Sequence, residues 1–142
     1  MILLDTSGLL AAIDGSQNQH AESAAALREA SGPLLLSPFV LAELDYLLAT
    51  RVSRRAQQAL LGEVARGAYR LEPFGAEDVA SAAFVLRRYR DLEIGLADAS
   101  IVVLAQRYGV LDVLTLDHRH FQALRGPGGK RFRLRPGLLS SN

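Results

Sequence analysis

Four carboxylates stand where solvation alone does not account for them: Asp5, Glu43, Asp98 and Asp117. Asp5 closes the apolar run Ile2-Leu-Leu4, and Asp117 immediately follows the stretch Asp112 to Leu116. If both stretches are strands, these acids occupy the carboxyl ends where sites gather in open α/β sheets. An Asp there also serves as the N-cap of a following helix, and for each of these two, taken alone, both roles stay open. Glu43 lies in Pro38-Phe-Val-Leu-Ala-Glu-Leu-Asp-Tyr-Leu-Leu48, with Phe39, Val40, Tyr46 and Leu47 three or four residues away. A carboxylate on such a helical face is paired, protonated or metal-bound, because an isolated charge is costly to bury. Asp98 repeats the pattern, flanked at the same spacing by Ile94, Ile101 and Val102. Either acid could instead face an arginine, or meet water at a helix end.

Taken together, two strand-end acids and two acids in the N-terminal halves of apolar helices can converge on one edge of a sheet. Carboxylates in one pocket repel one another, so some take up protons or they share a cation. The chain has no cysteine, so thiolate ligands, thiol nucleophiles and disulfides are excluded. An oxygen-ligand set suits Mg²⁺ or Mn²⁺. One or two such ions can generate hydroxide and stabilise a leaving oxygen in phosphodiester hydrolysis. Thr6 and Ser7 beside Asp5, and Thr115 before Asp117, are placed to orient a carboxylate or the attacking water.

The elements that would carry these residues alternate in type. Short apolar stretches at Ile2–Leu4, Leu34–Ser37, Tyr69–Pro73 and Asp112–Leu116 predict strands, and Phe132–Leu134 an edge strand. Helical patterns fill Gly8–Ile13, residues 20–30, Pro38–Arg51, Arg54–Ala65, Ala76–Arg90 and Leu96–Tyr108, with a short helix after Asp117. Gly126-Pro-Gly-Gly129 predicts a loop. The alternation predicts an α/β layered domain around a mainly parallel sheet. No repeat or linker interrupts it, so residues 1–142 are expected to form one domain.

The charge is unevenly spread. The formal net charge is +1, yet no acid follows Asp117, while Arg119, Arg125, Lys130, Arg131, Arg133 and Arg135 do. A basic end, about residues 125–142, behind an acidic body suits a polyanionic partner; it could equally be a solvated tail. The N-terminus lacks the basic lead-in of a signal peptide. No apolar run reaches the roughly 18 residues of a membrane span. The expectation is a soluble, cytoplasmic protein without membrane contact.

The set Leu4-Asp5-Thr6-Ser7, Ala42-Glu43-Leu44, Leu96-Ala-Asp98-Ala-Ser-Ile-Val102 and Leu114-Thr115-Leu-Asp117-His-Arg-His120-Phe121 resembles the four acidic motifs of PIN domains. It is especially similar to the VapC-type toxins of type II toxin–antitoxin modules. The resemblance implies a three-layer α/β/α sandwich with a mainly parallel central sheet, and a Mg²⁺- or Mn²⁺-dependent endoribonuclease acting on structured RNA such as tRNA or rRNA. It maps Asp5 and Asp98 onto the core metal ligands, with Glu43 and Asp117 completing the quartet. It further implies a homodimer and a cognate VapB-type antitoxin that threads a segment into the active-site groove. Many relatives carry another acid three residues after Asp117, where this chain has His120. That puts a second metal in doubt and makes His120, with Arg119 and Arg125, a candidate for substrate contacts. His118 is expected to be exposed, and His20 to lie outside the site.

Other readings fit less well. A haloacid-dehalogenase-type phosphatase needs a second Asp where Ser7 stands, and a receiver domain needs an acid pair and a lysine after its fifth strand. The sole lysine is Lys130, in the Gly-rich loop. A P-loop fails at Leu124 and Arg131, and no G-x-S-x-G elbow is present. The alternative from another class is a catalytically silent PIN-like domain that binds RNA or protein, favoured if any of the four acids were missing.

Overall fold

The computed structural model describes residues 1–137. Five strands form one parallel sheet: β1 (Ile2–Leu4), β2 (Leu34–Leu36), β3 (Arg70–Leu71), β4 (Asp112–Leu114) and β5 (Arg133–Arg135). Their order is β3-β2-β1-β4-β5. Seven helices complete an α/β sandwich: α1 (Thr6–Ile13), α2 (His20–Glu29), α3 (Pro38–Arg51), α4 (Arg54–Ala65), α5 (Ala76–Arg88), α6 (Leu96–Tyr108) and α7 (His118–Ala123). Register pairs Leu3 with both Leu35 and Val113, so β1 is the central strand. All three of its residues are buried, which explains a continuous apolar run instead of alternation.

The chain builds outward from β1 in one direction through β2 and β3, then returns to place β4 on the other side. That reversal opens a crevice outside the carboxyl ends of β1 and β4. Asp5 and Thr115 are the residues that immediately leave those two strands.

Several element ends differ from the sequence expectation, each for a local reason. The first helix begins at Thr6, two residues early, because Asp5, itself still extended, is its N-cap and its carbonyl already accepts from Leu9 N–H. The fourth strand stops at Leu114, since Leu116 N–H donates to Ser7 Oγ at 3.0 Å instead of joining the ladder. The third strand shrinks to two residues at the exposed sheet edge. Helix α5 ends at Arg88, and Arg90–Leu92 forms a separate 3₁₀ turn closed by Glu93 in the left-handed region, φ 54°. The last strand is displaced by one residue, Arg133–Arg135 lying in register with Asp112–Leu114, and Phe132 ahead of it is buried edge-to-face against Phe121, ring centroids 5.9 Å apart.

Capping matches the residue types. Ser37 Oγ accepts from Phe39 N–H ahead of α3, with Pro38 in the first turn. Ser53 does the same for α4 through Ala56. Gly109 ends α6 at φ 66°. Buried Glu72, just after β3, accepts from Arg70, Arg107 and the Tyr108 hydroxyl, tying the sheet edge to the end of α6. Among the described residues, no helix is long and apolar enough to cross a membrane.

Candidate metal centre

Asp5 is 4% exposed and sits at the start of the crevice. Its Oδ2 accepts from Thr115 Oγ1 at 2.7 Å and from Ser7 Oγ at 2.9 Å. Each hydroxyl gives its single proton to the carboxylate and accepts a backbone amide in turn, Thr115 from Asp117 and Ser7 from Leu116. The α1 start and the β4 end are thereby knotted around one carboxylate. Burial pushes the Asp5 carboxyl above the ordinary range; the Thr115, Ser7 and Thr6 hydrogen bonds oppose this, and the Asp117 charge adds to it. Asp5 makes no side-chain cap bond to α1, so capping does not account for it.

Asp98 lies in the first turn of α6 and is half-buried. Its carboxyl is pushed up to about 6, first by desolvation, then by the charges of Asp5 and Asp117, with His120 and the Gly95 backbone opposing. Asp117 does cap α7: its Oδ1 accepts from His120 N–H at 3.1 Å, and its Oδ2 lies 2.7 Å from His120 Nδ1. The donor atoms of Asp98, Asp117 and His120 lie within 4.8 Å of one another, a group able to hold a metal ion. Elements far apart in sequence thus converge, because Asp98 heads α6 while Asp5 and Asp117 leave neighbouring strands.

Glu43 departs from the expectation of a carboxylate on a buried face. It is exposed, as is Tyr46 at 66%, because α3 turns Val40, Leu44 and Leu48 inward instead. Among the described residues its one side-chain hydrogen bond is to the start of α1, accepting from Thr6 Oγ1 at 2.8 Å, and it is not among the acids whose donor atoms converge. Arg119 is exposed on α7. Arg125 is not directed at the acids: its Nη1 donates to the Gln122, Ala123 and Leu124 carbonyls that end α7. The side chain lines a groove with Val103, Gln106 and Arg107 of the second half of α6. His118 is half-buried, not exposed, and its Nε2 is buried without a hydrogen-bond partner among the described residues. His20 Nδ1 lies 2.8 Å from the Ala11 carbonyl, joining α2 to α1.

The basic end is less free than its composition suggests. Arg133 binds Asp112 through two nitrogens at 2.9 and 3.2 Å, and Arg135 reaches the same acid at 3.6 Å. Among the described residues, Arg119, Lys130 and Arg131 are the cations of this end without a carboxylate partner or a carbonyl cap. Residues 138–142 of the expected tail lie outside the described residues.

Three positioning residues escaped the sequence reading. Gly8 packs its backbone on β4: a Cβ there would lie 2.7 Å from Thr115 nitrogen and closer still to the Leu114 carbonyl. Ser37 and Ser100 are buried with their hydroxyls 2.6 Å apart, and Ser100 donates to the Ala97 carbonyl. This pair fastens the start of α3, which carries Glu43, to the first turns of α6, which carry Asp98. The available signals were a glycine inside a helical run and a serine inside Ala99-Ser-Ile-Val-Val-Leu104.

Comparison with known proteins agrees with this geometry. The PIN domain family pattern matches residues 2–126. The chain is 47% identical over 135 residues to Ribonuclease VapC26 of Mycobacterium tuberculosis, covering 95% of this chain and 100% of that protein. Its fold is similar to that of VapC20 from the same organism, a Sarcin-Ricin loop cleaving toxin: TM-score 0.77, 23% identity, 82% of this chain and 90% of that one. It is similar too to a chain of VapBC2 from Rickettsia felis, solved bound to a promoter DNA fragment: TM-score 0.64, 19% identity, coverage 94% and 98%.

Proposed function

Because the chain belongs to the PIN-domain family, we propose that it is a metal-dependent endoribonuclease and the toxin of a toxin–antitoxin pair. The observation that carries this reading is the convergence of Asp5, Asp98 and Asp117 at the sheet's switch point, where burial and mutual repulsion raise the carboxyls of Asp5 and Asp98. Acids so placed are stabilised by a shared cation. The 47% likeness to a ribonuclease supports RNA as substrate, with tRNA or rRNA the expected class.

Asp5 and Asp98 would hold Mg²⁺ or Mn²⁺, with Asp117 and Glu43 completing the acidic set. These acids would place the ion where, when bound, it would supply Lewis acidity for a water attacking the phosphodiester and for the leaving oxygen. Ser7 and Thr115 fix the Asp5 carboxylate, so that little reorganisation is needed when phosphate arrives. Thr6 keeps Glu43 turned toward the start of α1. Arg119 is the candidate for a backbone phosphate contact, which positions RNA without reading its sequence.

Residues 1–142 act as one nuclease domain in this reading, and the protein is cytoplasmic. A VapB-type antitoxin is the proposed protein partner, in keeping with the R. felis VapBC2 assembly, and a homodimer is proposed on the family likeness. The test is cleavage of total cellular RNA by the purified, antitoxin-free protein with Mg²⁺, Mn²⁺ or chelator, beside Asp98→Asn. Discrete fragments that need metal and vanish in the variant are expected. Intact RNA in every lane, from folded protein, would leave a silent binding domain instead.

A further inference from the structure

We propose that His120 is itself a ligand of this centre, giving a mixed oxygen–nitrogen donor set that favours Mn²⁺ over Mg²⁺. The inference rests on reading the acidic cluster as a metal centre, and deepens it by assigning a nitrogen donor and a preferred ion.

Placement supports ligation. His120 stands three residues after Asp117, so one turn of α7 brings its ring back over the helix start. There Nδ1 lies 2.7 Å from Asp117 Oδ2, and the side chain is 22% exposed. A histidine waiting for substrate on the outer surface would be free to turn into solvent, as Arg119 is. This ring is instead held against the acids, and a donor atom of His120 falls within 4.8 Å of donor atoms on both Asp98 and Asp117. A carboxylate that contacts a ligating imidazole is a recurrent arrangement, because it fixes ring orientation and raises ligand basicity.

The chemistry of the donor then selects the ion. Mg²⁺ demands hard oxygen ligands and near-ideal octahedral geometry. Nitrogen-bearing sites bind the first-row transition ions, a series that begins with Mn²⁺, and Mn²⁺ shares with Mg²⁺ a fit to carboxylate and water. A site built from Asp98, Asp117 and His120 therefore serves Mn²⁺ with every donor, and Mg²⁺ with the oxygens alone.

The experiment is pulsed electron paramagnetic resonance on the full chain loaded with Mn²⁺, read for ¹⁴N coupling from a coordinated imidazole. Mn²⁺ and Mg²⁺ affinities are measured calorimetrically beside it. The expected result is ¹⁴N coupling in the native protein and its loss in His120→Asp. In that variant the preference for Mn²⁺ over Mg²⁺ should fall about tenfold, because the carboxylate offers an oxygen donor to both ions. His120→Gln, which has no imidazole, serves if the Asp variant does not fold. Mn²⁺ bound at the centre without ¹⁴N coupling, or with coupling that persists in the variant, overturns the assignment of His120 and leaves the metal centre standing. Failure to bind Mn²⁺ at all overturns both.

Discussion

Asp98 carries a cost that the protein tolerates for the sake of its site. Its carboxyl titrates near 6 in the fold against an ordinary value near 3.8, so between those pH values the folded state binds more protons than the unfolded chain. Stability of the metal-free protein should therefore fall as pH rises from about 4 to 6, then level off. Asp98→Asn should lessen that slope, the raised carboxyl of Asp5 supplying the remainder, and raise neutral-pH stability by on the order of 1 kcal/mol, allowing for solvent screening at this half-buried group. Thermal melts at pH 5 and pH 8 with chelator check this, and equal slopes in both proteins would refute it. The same variant should lack cleavage activity, because an amide keeps the shape but not the anionic ligand. Asp112 behaves oppositely: Arg133 holds its carboxyl low, so its contribution is lost only below the ordinary carboxylate range. At Thr115, substitution by Val removes the 2.7 Å bond to Asp5 and the acceptor for Asp117 N–H. With one fewer hydrogen bond to its charged form, Asp5 should titrate still higher. The pH profile of cleavage should then shift upward, and an unmoved profile would show that Thr115 is structural only.

At the scale of elements, the centre depends on how closely α1 and β4 approach. Ala at position 8 would improve helix propensity by at most about 1 kcal/mol. It would also drive a methyl into the Leu114 carbonyl and the Thr115 amide, both backbone groups that cannot swing aside. Overpacking of this kind costs about 1–3 kcal/mol, and the clash should win. Gly8→Ala is accordingly expected to lower the urea midpoint and to reduce cleavage more than stability alone explains, since it separates Asp5 from Thr115. A midpoint equal to that of the native protein would refute the close-packing argument. The Ser37–Ser100 pair plays the corresponding part between α3 and α6.

For the molecule as a whole, charge is divided between holding the fold and meeting a partner. Arg133 and Arg135 pair with Asp112 and align the edge strand β5 with β4, whereas Arg119 has no such duty among the described residues. Removing one cation that neutralises a phosphate should reduce the salt dependence of RNA binding by about one unit of slope. Arg119→Ala is expected to weaken binding evenly across sequences and to flatten the salt plot. Arg133→Ala should leave the plot unchanged and cost less than about 1 kcal/mol of stability, as exposed pairs do. Binding titrations of a short RNA at several salt concentrations separate the two, and identical slopes for Arg119→Ala and the native protein would remove Arg119 from the interface.

Much of this was legible from residue order alone. A buried strand must be apolar and an exit from it must turn, so Ile2-Leu-Leu-Asp5 announced both a central strand and an acid at its end. Helix limits at Pro38–Arg51 and Leu96–Tyr108 followed from proline and glycine, whose backbone restrictions act locally. The acids Asp5, Asp98 and Asp117 stood out for the same reason, as charges beside apolar neighbours. The facing of side chains was not legible. Glu43 sits among apolar neighbours in sequence yet is exposed, because the packing of α3 selects Val40, Leu44 and Leu48 for the core. Nor does any local pattern distinguish the capped Arg125 from the open Arg119, or foresee that Gly8 touches Leu114. The Gly8 contact joins segments over a hundred residues apart, which meet only when the sheet closes β4 against β1 and brings the two strand ends into one crevice.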